Sequence, residues 1–227
     1  MKTRFGFGFA AVLIALCVAS TGAIAQTVTM KLSTSTSGDA INEWMRLLKQ
    51  GVEARAPGRI KVEIYPASQL GSIPRTIEGV ALGTIELSMN ASGFYESLEP
   101  RFSVFAAPGL FDDLHHANRI LGDPDIKKRL ATFGSTKGVE ALSLFTPSSY
   151  AILSHKPIAT LADLRGQKIR VPGSPLQTEA LKRLGASPLS MAFGEVLPAL
   201  QNRTIDAVWA VIPLFNALKF YDIAKTA

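Results

Sequence analysis

Gly166-Gln167-Lys168-Ile169-Arg170-Val171-Pro172-Gly173-Ser174-Pro175-Leu176 is the stretch on which the fold reading turns. Lys168 to Val171 reads as a short strand stopped by Pro172-Gly173, and a helix opens at Ser174-Pro175. A strand running into a turn and then a helix is the building unit of an open α/β sheet. Ligands of such sheets sit outside the carboxyl ends of the strands. The strand carries one permanent cation, Arg170, close to that end. A guanidinium there is suited to hold a carboxylate through two parallel hydrogen bonds. On the residues alone, Arg170 stays open between an anion anchor and a surface cation on an edge strand.

The alternation continues in both directions. Downstream, the pattern predicts a helix over 175–184 ended by Gly185, a strand over 187–190, a helix over 193–201, a strand over 205–211 and a last helix over 213–224. Upstream, Val28, Met30 and Leu32 alternate as a strand, and Asp39 is placed to cap a helix that carries Ile41, Trp44, Met45, Leu48 and Val52 on one face. Ile60, Val62 and Ile64 form a second strand, Ser72 and Pro74 open a second helix, Gly83 stops it, and 84–89 is a third strand. Strands are expected over 102–107 and 139–144, with helices over 114–121 and 125–133 between them. Residues 150–154 are extended again, and the change of character near 147 marks a crossing between two domains. Thr84-Ile85-Glu86 and Thr204-Ile205-Asp206 each follow a helix and a turn and lead into a strand. This echo is consistent with two facing α/β lobes around a cleft.

The chain has 227 residues, 47% of them hydrophobic, which suffices for one large or two small domains with a real core. Residues 1–25 read as a secretory signal: Lys2 and Arg4, an apolar run over 5–19, and a small-x-small site at Ala23-Ile24-Ala25 before Gln26. The only cysteine, Cys17, falls inside that run, so the mature chain has no disulfide and no thiolate chemistry. Removing the signal leaves 22 basic and 18 acidic residues, scattered rather than clustered. That argues against a nucleic-acid partner and is compatible with an anionic small molecule.

Catalysis finds little support. His115 and His116 follow Asp112-Asp113, but adjacent histidines on a helix point about 100° apart and do not converge on a metal. His155 lies among surface-loop residues. No G-x-S-x-G elbow, H-E-x-x-H or phosphate loop is present. No catalytic residue, metal or cofactor is therefore expected. The hydroxyl-rich run Ser33 to Ser37 reads equally as a ligand loop or as an ordinary loop before a capped helix. Phe193, at a helix start, and Trp209, in an apolar strand, read by default as core.

Several runs, taken in order, resemble one family. Ile60-Lys61-Val62-Glu63-Ile64-Tyr65-Pro66 with Gln69-Leu70-Gly71, Gly83-Thr84-Ile85-Glu86, and Pro108-Gly109-Leu110-Phe111-Asp112-Asp113 are three of them. Leu164 to Pro172, Leu184-Gly185-Ala186-Ser187-Pro188, Met191 to Val196 and Lys219-Phe220-Tyr221-Asp222 complete the set. Together they resemble the extracytoplasmic solute-binding proteins of TRAP transporters, the tripartite ATP-independent periplasmic type (DctP-type). The resemblance implies an α/β, two-lobed periplasmic-binding-protein-like fold with a hinge and a central cleft. It implies 1–25 as signal, 26–147 as an incomplete lobe I, and 148–227 as lobe II with the start of a hinge-region helix; the chain is expected to continue past Ala227 and complete lobe I. It implies a periplasmic receptor, not an enzyme, that passes an organic anion to small and large integral-membrane subunits. Arg170 is implied as the carboxylate-binding arginine, Phe193 as packing on the solute, and Ser33 and Asn90 as pocket positions of lobe I.

The departures shape the expected ligand. Some members carry a second arginine where Tyr150 stands, and many carry an asparagine where Ala210 stands, beside Trp209. With Tyr150 offering a hydrogen bond and Trp209 a wall, the pocket is expected to take a monocarboxylate with an apolar or aromatic body. Two other roles stay open at this point: a periplasmic enzyme acting on a carboxylate, and a sensor that presents its solute to a membrane receptor.

Overall fold

The computed structural model describes residues 26–226; the secretory-signal reading of 1–25 lies outside them. The protein is α/β, built as two lobes around two separate sheets. In lobe I, β1 (Val28–Thr34), α1 (Ala40–Arg55), β2 (Ile60–Tyr65), α2 (Ile73–Ala81) and β3 (Leu87–Met89) follow one another, and the sheet runs β2-β1-β3. All its pairings are parallel, with Leu32 opposite Ile64 on one side and Leu87 on the other. Asp39 caps α1 by accepting the Asn42 N–H at 3.1 Å. Met45 of α1 closes on Leu32 and Val62, all three buried. Each such side chain contributes about 1.5–3 kcal/mol of transfer free energy.

Lobe II holds β4 (Tyr150–Ser154), β5 (Lys168–Val171), α5 (Pro175–Arg183), β6 (Ser187–Ser190), α6 (Phe193–Gln201), β7 (Ala207–Val211) and α7 (Ile212–Ala217). Its sheet order is β4-β7-β5-β6, with β4 antiparallel to β7 and the other pairs parallel. Between the lobes' sheets come α3 (Leu114–Gly122) and α4 (Pro124–Leu130).

Two expected strands are not strands. Residues 100–106 form a 3-10 segment, with Pro100 in its first turn and Glu99 accepting the Arg101 N–H. Phe102 and Ala106 are its buried pair, a helical rather than an alternating spacing. The pair Glu99-Pro100 is the start signal that the apolar run concealed. Residues 139–144 form no strand ladder and belong to no helix. Residues 139–147 line the same cavity as Leu87–Asn90.

The strand expected over 84–89 keeps only Leu87–Met89, because Thr84 and Ile85 are claimed by the helix before them. Their N–H groups donate to the Gly79 carbonyl at 2.8 and 3.1 Å. In lobe II, Thr204 and Ile205 donate to the Ala199 carbonyl at 2.9 and 3.4 Å. After α5, Ala186 donates to the Leu181 carbonyl at 3.1 Å. Gly83, Gly185 and Arg203 take the left-handed conformation at the three turns. The sequence echo is thus a helix-closing turn of the Schellman type, used three times, and not a mark of lobe duplication.

Glu99 also ties lobe I together. It accepts from Arg101 and from the Gly134 N–H, and Arg101 lies over the Phe133 ring at 4.4 Å. The Arg101 hydrogen bonds, with these backbone donors, hold the Glu99 carboxyl down at about 2. A depressed carboxyl contributes stability above its unfolded pKa and loses it as pH falls through the folded one. Glu99→Gln is therefore expected to lower the melting temperature near neutrality, with the deficit to wild type closing as pH approaches 2. A deficit independent of pH would refute the assignment.

Candidate functional site

Arg170 is the penultimate residue of β5, and it is 1% exposed. Its Nε and Nη2 donate to the Met191 carbonyl at 3.0 and 2.9 Å. Its guanidinium carbon stands 4.2 Å from the centre of the Phe193 ring. Met191 and Phe193 flank the start of α6, so the turn between β6 and α6 both orients the guanidinium and covers one face of it. Among the described residues no carboxylate pairs with Arg170, and its Nη1 donors have no acceptor. Burial pushes its pKa down to about 10, which leaves it charged at neutral pH. A buried cation with free donors is costly unless an anion completes it.

Arg170 opens onto a cavity of about 260 Å³ that runs between the lobes. Tyr150, Phe193, Pro172, Ala210 and Val211 line it from lobe II. Asn90, at the end of β3, lines it from lobe I together with Ser35, Thr36, Ser88 and Ser92. Asn90 donates through Nδ2 to Ser88 Oγ at 2.8 Å, while its Oδ1 is buried with no partner. The Tyr95 hydroxyl donates to the Ser88 carbonyl at 2.8 Å and steadies the same strand end.

The structure therefore brings Arg170, Phe193, Tyr150 and Asn90 to one cavity. Ser33 and Trp209 are placed differently. Ser33 is buried, its Oγ has no partner, and it is not on the cavity wall. Trp209 sits on the face of β7 opposite Ala210, packed toward the α5 side of the sheet with Ile152 and Ile158. Its ring meets Tyr150 edge-on at 5.9 Å. Strand alternation puts Ala207 and Trp209 in the cluster with Ile169 and Leu181, and Val208 and Ala210 in the other cluster; Trp209 is not on the cavity wall. Trp209 supports Tyr150 from behind and does not narrow the cavity.

Sequence reasoning missed Phe94, whose ring meets Phe193 edge-on at 6.4 Å. It also missed the hydroxyls of Ser88 and Ser92. No local signal marked Phe94: the close approach behind it, where a Cβ on Gly93 would come within 2.9 Å of the Ser174 Cβ, exists only in the folded chain. The histidines lie away from this wall; His116 Nδ1 stands 3.0 Å from Asp112, and Asp113 caps α3. Among the described residues no cluster of His, Cys, Asp or Glu is placed to hold a metal, and no helix is long and apolar enough to cross a membrane.

Comparison with known proteins gives concordant results. The family profile of DctP, bacterial extracellular solute-binding protein family 7, matches residues 32–227. The 2,3-diketo-L-gulonate-binding periplasmic protein YiaO of Escherichia coli is 34% identical over 175 residues, which is 77% of this chain and 53% of that protein. The chain thus spans about half the length of that relative. A TRAP periplasmic solute binding protein from Xanthobacter autotrophicus, with bound β-D-galacturonate, superposes with a TM-score of 0.82 at 28% identity, covering 86% of this chain and 66% of that one. A TRAP periplasmic solute binding protein from Ochrobacterium anthropi, with bound L-fuconate, superposes at 0.78 with 31% identity, covering 88% and 66%.

Proposed function

Because the chain belongs to the bacterial extracellular solute-binding proteins of family 7, we propose that it is a periplasmic receptor for a sugar acid, which it delivers to the membrane subunits of a TRAP-type transporter. The observation that carries this reading is the buried Arg170 guanidinium, charged, half-satisfied by one carbonyl, and without an acidic partner among the described residues. One carboxylate meeting its free edge supplies the missing acceptors and the missing charge.

The body of the solute is hydroxylated. This replaces the apolar or aromatic body expected from the sequence. Trp209, on which that expectation leaned, is not on the cavity wall. Apolar residues of both lobes, among them Ile41, Trp44, Phe102 and Leu214, line other parts of the wall. Lobe I lines the same cavity with Asn90, which has an unpartnered carbonyl oxygen, with Ser92, and with Ser88, whose hydroxyl already meets Thr76 and Asn90. Such groups lose their water on ligand entry and need hydroxyl partners in return. The three relatives above are described with diketo-gulonate, galacturonate and fuconate, each a hydroxylated acid.

In this arrangement Arg170 fixes the carboxylate, Phe193 and Tyr150 cover the flat faces of the solute, and Asn90 reads a hydroxyl. The part played by membrane subunits rests on the family alone. A thermal-shift screen tests the solute class. At a hundredfold excess over Kd, D-galacturonate or L-fuconate is expected to raise the melting temperature by roughly 5–10 °C, and phenylacetate to leave it unchanged. A rise with phenylacetate and none with the sugar acids would return the reading to an apolar solute.

A further inference from the structure

We propose that Glu96 is a positioning residue for the Arg170 anchor, a carboxyl of lobe I that clasps the turn and helix terminus following the Arg170 strand in lobe II. The inference rests on Arg170 as the carboxylate anchor.

Glu96 is 6% exposed and Ser174 is 1% exposed, although neither is apolar. The Ser174 hydroxyl donates to Glu96 Oε1 at 2.6 Å. The Ser174 Oγ in turn accepts the Gln177 N–H at 3.3 Å, so one hydroxyl both caps α5 and reaches across to the other lobe. The Leu176 N–H lies near enough to Glu96 to favour its ionised form. The packing around this contact is close. A Cβ on Gly93 would lie 2.9 Å from the Ser174 Cβ, and one on Gly173 would lie 3.4 Å from the Phe94 ring.

Only Val171, Pro172 and Gly173 separate Ser174 from Arg170. Phe94, two residues before Glu96, meets Phe193, and Phe193 lies against the guanidinium. Lobe I therefore reaches the anchor by two short routes, a carboxyl on the turn behind it and a ring on the aromatic beside it. Releasing the carboxyl frees the turn, and the fork of Arg170 loses the alignment that two parallel hydrogen bonds require.

Burial pushes the Glu96 carboxyl above the usual carboxylate range, against the hydrogen bond from Ser174 and the nearby Leu176 N–H. The other titratable groups on the elements around it are Tyr95 on its own turn, Arg75 and Glu78 on α2, Glu99 and Arg101 on the next segment, and Glu179, Lys182 and Arg183 on α5. Glu99 pairs with Arg101, and Glu179 with Arg183. A raised carboxyl stabilises the fold below its unfolded pKa and less as pH rises through the folded one. The clasp is therefore tighter in mild acid. Glutamine, which keeps the acceptor oxygen without the charge, preserves it.

The test reads amide hydrogen exchange at Leu176 and Gln177 in the ligand-free protein, alongside the Kd for D-galacturonate. Glu96→Ala is expected to speed exchange at both amides about tenfold and to raise Kd by a similar factor, as loss of a hydrogen bond to a buried carboxyl implies. Glu96→Gln is expected to keep wild-type protection. As pH rises from mildly acidic to mildly alkaline, wild-type protection, corrected for intrinsic exchange, should fall while that of Glu96→Gln stays level. Unchanged exchange in Glu96→Ala, or equal damage from Gln and Ala, overturns the proposal. Failure of the solute reading looks different: D-galacturonate does not bind the wild type, or binds Arg170→Met as well as wild type. In that case the exchange data still decide whether the clasp exists.

Discussion

Arg170→Met is expected to weaken D-galacturonate binding by a factor of about 30 to several thousand, since removing one partner of a buried, hydrogen-bonded charge pair costs roughly 2–5 kcal/mol. The fold should survive. Arg170 makes no ion pair among the described residues, and its two hydrogen bonds both go to the Met191 carbonyl. Replacing a buried charge by an apolar side chain of similar volume is often neutral or stabilising. The signature is a melting temperature at or above wild type together with lost binding by calorimetry. Arg170→Lys separates charge from geometry. It keeps a cation but cannot hold Met191 and a carboxylate in one plane, so it should recover only part of the affinity. Binding unchanged in Arg170→Met would dismiss the anchor, whatever the family.

The largest stability effect is expected at Gly138. It adopts φ of +76°, and a Cβ there would lie 2.5 Å from the Ala81 carbonyl oxygen at the end of α2. Gly138→Ala combines about 1–2 kcal/mol of left-handed strain with an overpacking cost of about 1–3 kcal/mol against a backbone atom that cannot rotate away. For a chain of this size that predicts a fall in melting temperature of roughly 5–15 °C. Gly109 is the control. Its φ is +73°, and a Cβ there would meet nothing within 4 Å. Gly109→Ala should show the strain alone, a few degrees. Equal losses at the two sites would mean that the contact with α2 contributes nothing.

Both predictions depend on features of very different legibility. Arg170 could be placed from a short local pattern, because Pro-Gly ends a strand and Ser-Pro opens a helix whatever surrounds them. The caps at Asp39 and Asp113 belong to the same class, since a side chain that bonds its own neighbouring amides needs no tertiary partner. The 102–107 strand reading failed where an apolar run was weighed by composition while the Glu99-Pro100 start signal before it went unread. The 139–144 reading failed for another reason. A strand exists only when a neighbour completes its ladder, and these residues line a cavity without one.

The chain's local chemistry by itself determined the strand and helix alternation, the helix-closing turns at Gly83, Gly185 and Arg203, and the placing of a guanidinium at a strand end. These follow from interactions within a few residues, and periodicity and capping report them directly. The tertiary structure alone decided which way each side chain looks and what it meets. It kept Trp209 off the cavity wall, left Asn90 Oδ1 and the Nη1 edge of Arg170 without partners, and set Glu96 against Ser174, 78 residues further along the chain. Those outcomes depend on how two sheets and their helices pack, and no pattern within a single segment carries that information.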